Sequence, residues 1–159
     1  CTAKRVLDGT PYEDKTKNGR KIKRWRLDNP NEEAIIYKAG WLRHPSTQWV
    51  MKSAYNYIWL YKHMMAMNDE YKSRYNHTKD HLAVQKLGEL LRQPPKNINI
   101  KALATDATPA MPDECIVPGD SVASYRKYYI MKKVRFATWK APSKMPDWFK
   151  EGVENVNNI

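Results

Sequence analysis

The amino-acid sequence predicts an all-α protein, a compact single-domain bundle of about three main helices joined by long ordered loops, with a short basic hairpin near its start. Three observations carry this expectation. From Pro45 to about Tyr75 apolar residues recur at helical spacing, and no further Gly or Pro interrupts them. Similar, shorter runs follow at 79–92 and 120–138. Between them lie Pro94, Pro95, Pro109, Pro112 and Pro118, which punctuate a long connection. With 159 residues, 42% of them hydrophobic, the chain can bury one core. The domain is expected to span 1–150, with a polar, fraying tail over 151–159.

Taken in order, 1–9 reads as the last two turns of a helix, capped by Gly9. The chain is therefore expected to begin inside a helix, and Cys1 is not read as a nucleophile. A basic stretch follows, with Lys15, Lys17, Arg20, Lys21, Lys23, Arg24 and Arg26. Asn18-Gly19 is a strong turn signal, and 21–27 alternates basic and apolar residues as a half-buried strand does. Trp25 among these cations offers a stacking surface, so Lys21, Arg24, Trp25 and Arg26 are candidate nucleic-acid contacts.

A short helix is expected around 32–38, ending near Gly40. In the long helix, Val50, Ala54, Tyr57, Ile58, Tyr61, Met64, Met65, Asn68 and Tyr71 form one broad face directed to the core. In the next helix Leu82, Leu87, Leu90 and Leu91 are expected to face inward. Residues 93–120 carry Ile98, Ile100, Leu103, Met111 and Ile116, so this connection is expected to lie ordered across the core. Asp120 or Ser121 opens the last strong helix.

The formal net charge of +11 points to a polyanionic partner, with duplex DNA foremost. No apolar run approaches a membrane span, so no membrane partner is expected. Two cysteines, Cys1 and Cys115, lack zinc spacing and suit a reducing compartment, hence a cytoplasmic expectation. His77 and His81 stand at i, i+4 but lack a third ligand, so helix capping or phosphate contact is favoured over metal. No nucleotide-binding loop, dinucleotide fingerprint or nucleophile elbow is present. Neither metal nor cofactor is expected.

Two further groups of residues are candidates for a site. Trp49, Ser53, Asn56, Leu60, His63, Met67, Glu70 and Arg74 form a second stripe on the long helix. Asn56, Glu70 and Arg74 could converge with His44 on one cleft, with a carboxylate held by an arginine and an amide to read base edges. Ordinary exposure of that stripe is the competing reading. In the last helix Arg126, Tyr129, Lys132 and Lys133 combine aromatic and basic positions, aromatics inward and cations outward.

Taken as a set, several runs resemble the pyrimidine dimer DNA glycosylase-like proteins of phages and environmental sequences. They are 43–49, Asn56 to Leu60, Glu70-Tyr71, Arg74-Tyr75, 110–114, Tyr125-Arg126, Tyr128-Tyr129, Lys132-Lys133, Trp139 and 146–149. The resemblance covers about Val6 to Phe149. It implies a compact all-helical DNA repair protein of the kind known from T-even phages, a glycosylase and abasic-site lyase. In such an enzyme an N-terminal amine forms a Schiff base with the sugar and a glutamate of the first helix assists. By the same resemblance, the segment carrying both lies ahead of Cys1. The catalytic expectation within this chain is Glu70, His44 and Arg74. The nucleic-acid contacts expected are Lys21, Arg24, Trp25, Arg26, Trp49, Asn56, Arg126, Tyr129, Lys132 and Lys133. Two alternatives stand beside this reading: a non-enzymatic nucleic-acid-binding phage protein, and a phage protein that binds a small ligand or a host protein through the His44, Asn56 and Arg74 cleft.

Overall fold

A computed structural model describes residues 1–157. Its elements are α1 (Thr2–Asp8), β1 (Thr10–Lys15), β2 (Lys21–Arg26), α2 (Pro30–Ile35), α3 (Pro45–Lys52), α4 (Ala54–Tyr75), α5 (Leu82–Arg92), α6 (Ser121–Tyr128) and α7 (Asp147–Asn157). The protein is thus mostly helical, but it is not an all-α bundle of three helices. Among the described residues there are seven α-helices and a two-stranded antiparallel sheet.

The hairpin forms where the turn chemistry places it. Gly19 adopts φ 76°, and the Gly19 N–H donates to the Thr16 carbonyl at 2.9 Å. The register pairs Thr10 with Arg26 and Lys15 with Lys21. At its base Gly9 turns the chain from α1 into β1. A Cβ there would stand 2.5 Å from the Arg5 carbonyl oxygen and 3.0 Å from that of Arg26, so the close approach requires glycine.

The expected helix over 45–75 is two helices. Ser53 breaks it, with φ −151° and ψ 154°, and its buried hydroxyl accepts from the Asn56 N–H at 3.1 Å. A serine competes with the helical backbone in this way when a cap is available. Tertiary contact completes the break: the Ala54 N–H, freed from the helical ladder, donates to the Asn99 carbonyl at 3.2 Å.

Two further expectations are corrected. The last helix does not run evenly to 138: after α6 the chain winds wider over Tyr129–Lys133 and then tighter over Val134–Phe136. Tyr129 and Phe136 are exposed there, not turned inward. The tail does not fray from 151, because α7 continues through that boundary. Gly152 of this helix lies against Ile130, whose Cδ1 an added Cβ would meet. Positions 158–159 of the expected tail lie outside the described residues.

Two apolar clusters make the core. One joins Ala3, Trp49, Val50, Tyr57 and Ile98, and the other Leu27, Ile36, Leu87 and Leu91. The Tyr57 hydroxyl bridges them by donating to the Leu91 carbonyl at 3.1 Å, and burial pushes its pKa upward. Leu82 is exposed at the open end of α5. The connection 93–120 is tied down at several points. The Asp8 carboxylate accepts from the Lys96 and Asn97 N–H groups at 2.9 and 3.0 Å, and Ile98 enters the core. Ile100 and Leu103 nevertheless face solvent.

Beneath the hairpin, Arg5 is buried and makes four hydrogen bonds. It donates to the carbonyls of Trp25 (2.6 Å), Tyr37 (2.8 Å) and Ile36 (2.9 Å) and to Glu33 (2.7 Å). Glu33 also accepts from the Leu27 N–H at 2.9 Å. One ion pair therefore joins α1, β2 and α2, and each nitrogen of the guanidinium finds an acceptor.

Candidate nucleic-acid interface

α3 and α4 meet at an angle set by Ser53, and this exposes an opening between them, the 104–107 strand of chain and α6. The opening is a cleft of about 880 Å³, within the size range of small-ligand sites. Its lining includes seven aromatic side chains: Trp49, Tyr55, Trp59, Tyr125, Tyr129, Trp139 and Trp148. Trp49 is buried behind this wall, while the other six present flat π surfaces on which a base can stack, so the wall suits a heterocycle more than an extended apolar chain.

The aromatic wall is ordered by specific contacts. The Trp49 indole N–H donates to the Thr105 carbonyl at 3.0 Å. Trp59 packs edge-on against Trp49, with ring centroids 5.6 Å apart, and stacks on His63 at 5.2 Å. Trp59 remains 54% exposed, so much of its ring is open to a ligand. Across the cleft, the Arg126 guanidinium lies 5.4 Å from the Trp148 ring, and Phe149 supports both Trp148 and Trp139. Lys62 and Arg126 place positive charge at the cleft, and among the described residues Asp106 is the carboxylate that lines it.

Asn56 lines the cleft but does not read bases. It is 1% exposed, and its amide is spent within the protein. Its NH₂ donates to the Trp49 carbonyl and the Thr105 hydroxyl, both at 3.0 Å, and its oxygen accepts from the Thr105 N–H at 3.0 Å. This side chain therefore clips the 104–107 segment to α3 and α4.

The expected convergence of His44, Asn56, Glu70 and Arg74 does not occur. Asn56 and Glu70 are 14 residues apart on one continuous helix, about 21 Å along its axis. His44 caps α3, its Nδ1 accepting from the Ser46 N–H at 3.1 Å. Glu70 and Arg74 pair at 2.6 Å beside a separate, shallower groove. There the Ser143 hydroxyl reaches the same carboxylate at 2.6 Å. Ser143 first and Arg74 second hold the Glu70 carboxyl below the usual carboxylate range.

The hairpin presents its cations in two ways. Lys21 pairs with Glu13 at 2.9 Å and Arg24 approaches Asp14 at 3.8 Å. Lys23 lies over Trp25 at 5.4 Å and Arg26 over Tyr12 at 4.9 Å. In the α6 region Lys132 pairs with Glu114 at 3.0 Å, while Lys133 sits over Tyr128 at 5.1 Å. His77 and His81 both lie against Tyr71, and His81 caps α5. Among the described residues no three His, Cys, Asp or Glu side chains gather as a metal site, and no helix is long and apolar enough to cross a membrane.

Of the residues singled out in the sequence, Trp49, Asn56, Arg126 and Tyr129 meet at the cleft. Tyr55, Trp59, Lys62, Asp106, Tyr125, Trp139 and Trp148 were not singled out as contacts. The helical stripe held Trp49 and Asn56 but not Trp59, which lies one step off it. Comparison with protein-family models, with curated proteins and with solved structures gives no match.

Proposed function

We propose that this chain is a DNA-binding repair domain of the base-excising type, in which the aromatic cleft receives a base withdrawn from the duplex. The observation that carries the reading is the aromatic wall of the cleft with Lys62 and Arg126 beside it, on a chain of net charge +11. Stacking recompenses the base for the neighbours it loses, and the cations hold the adjoining phosphates.

Docking comes first and is electrostatic. Among the described residues, Lys23 and Arg26 on the hairpin and Lys133 beyond α6 make no ion pair and lie over aromatic rings instead, and they serve as phosphate contacts. Lys21, Arg24 and Lys132 contribute less, since each already faces an acid. The base then enters between Trp59 and the Tyr125–Trp148 side. Loss of a base leaves positive charge on the sugar, and Asp106 is the carboxylate positioned in the cleft to offset it. The pyrimidine dimer glycosylase and lyase assignment follows from the resemblance, with Glu70 and Arg74 bracing the cleft from outside rather than acting on substrate.

The test is binding and cleavage of a labelled duplex, with and without ultraviolet damage, at low and physiological salt. Tighter binding of the damaged duplex, lost in Trp59→Ala, is the expected result. Equal binding of both duplexes, unaffected by Trp59→Ala, would sink the base-pocket reading and leave a general nucleic-acid-binding module. Absence of salt-sensitive binding would leave the cleft as a small-ligand site.

A further inference from the structure

Trp41 combines two features that a folded protein ordinarily avoids. It is 84% exposed, the most exposed of the large hydrophobic side chains described. Its backbone is also left-handed, with φ 52°, a region that favours glycine and disfavours bulky residues. Among the described residues no aromatic ring or cation stacks on the indole. The conformation is nonetheless held on both sides. Ahead of it, Thr2 Oγ1 bonds the Gly40 N–H at 3.2 Å and the Gly40 carbonyl at 3.1 Å. Behind it, the His44 N–H donates to the Trp41 carbonyl at 3.0 Å, and the Gln48 amide holds the Leu42 carbonyl. The loop is thus fixed, and it is fixed so as to present the indole.

The surroundings are cationic. Trp41 shares a shallow depression with Lys23 of the hairpin and with Arg43. The loop also leads directly into α3, which carries Trp49 of the cleft wall.

From this arrangement we infer that Trp41 is a stacking wedge, which inserts against the base step left open when a base is withdrawn from duplex DNA. A withdrawn base leaves its neighbours unstacked, and an inserted apolar side chain restores contact on that side. Lys23 and Arg43 hold the phosphates flanking the opened step. The inference rests on the DNA reading above and adds to it a second aromatic contact outside the cleft.

The probe is a duplex holding a tetrahydrofuran abasic site next to 2-aminopurine, compared with the same duplex fully paired. The full chain should bind the abasic duplex and quench 2-aminopurine through the indole. Trp41→Ala should bind it about tenfold more weakly and lose the quenching, within the range expected for one base stack. Trp41→Phe should keep most of both, and affinity for the paired duplex should stay level in every variant. Trp41→Gly relieves the left-handed strain, so its melting temperature should not fall while its quenching is lost. This separates the wedge from a folding role. If the wild-type chain binds neither duplex, the DNA reading fails and the wedge fails with it. If it binds both but Trp41→Ala matches it on the abasic duplex, the wedge alone is overturned. An equal loss on both duplexes would likewise overturn it, marking Trp41 as a general contact.

Discussion

The hydroxyl of Ser143 lies 2.6 Å and 2.8 Å from the two carboxylate oxygens of Glu70, which Arg74 grips from the next turn of α4. This contact spans 73 positions of sequence. It ties the segment between Trp139 and Trp148, one wall of the aromatic cleft, to the far half of the long helix.

Ser143→Ala and Glu70→Gln should therefore loosen that wall while leaving the core intact. The expected outcome is faster amide hydrogen exchange over 139–148 and weaker binding of a damaged duplex, with little change in affinity for undamaged DNA. The latch also depends on pH. Glu70 has a folded pKa below its unfolded value, so its contribution is complete above the unfolded pKa and is lost as pH falls through the depressed folded one. Protection factors over 139–148, with the intrinsic pH dependence of exchange divided out, should fall in the wild type as pH drops through the folded Glu70 pKa and stay level in Glu70→Gln.

Arg5, which is buried, and Glu33, which is partly exposed, form the inner counterpart of that surface latch. Burial by itself would raise the Glu33 pKa, but the Leu27 N–H and the Arg5 guanidinium bring it below the usual range. Its stabilising effect is thus present above the unfolded carboxylate pKa and disappears as pH falls through the lower folded value. Arg5→Met removes the donors of three carbonyls and leaves Glu33 facing an apolar side chain. A loss of about 1–3 kcal/mol is expected from urea unfolding, because buried carbonyls lose their donor while the partly exposed Glu33 can still reach water.

The hairpin cations should separate by their partners. Lys23→Ala and Arg26→Ala should each lower the slope of log affinity against log salt by about one, with affinity falling alike on all DNA sequences. Lys21→Ala and Arg24→Ala should lower it less, because Glu13 and Asp14 already neutralise those charges. Titrations by fluorescence anisotropy at several salt concentrations measure both. Equal slopes for all four variants would contradict the division.

Asn56 and Trp59, three residues apart, should respond in opposite ways. Asn56→Ala strips bonds from Trp49 and Thr105, leaving polar groups without partners at a cost of about 1–3 kcal/mol. A fall in melting temperature is expected. Trp59→Ala removes a half-exposed ring, so stability should hold while affinity for a damaged or single-stranded site drops by about 1–3 kcal/mol.

Much of the fold was legible before the structure. Asn18-Gly19 between basic and apolar alternation marked the hairpin, because few turns other than a tight one tolerate that pair. The apolar period marked α4 and α5, and Pro94-Pro95 marked where α5 stops. Ser53 was not legible as a break, since a serine inside an apolar helical period is commonplace. What decides it is the Asn99 carbonyl, placed beside Ala54 by a connection 45 residues further on.

The site was legible only in part. Charge and aromatic content pointed to nucleic acid, and Arg126 and Tyr129 stood out by spacing. Glu70, Arg74 and His44 stood out equally, yet they serve as a latch and a cap. Spacing on one helix shows that side chains share a face, but a 22-residue helix carries that face across more than one site.

By itself the sequence determined the helical content, the basic hairpin, the positive charge and the supply of tryptophan and tyrosine. These are local or summed properties, and no distant contact is needed to produce them. The tertiary structure decided which aromatics face a common cleft, that Asn56 is a clip, that Asp106 joins the cleft, and that Trp41 stands out from it. Each of these depends on segments far apart in the chain meeting at one place, and periodicity names a face without naming what covers it.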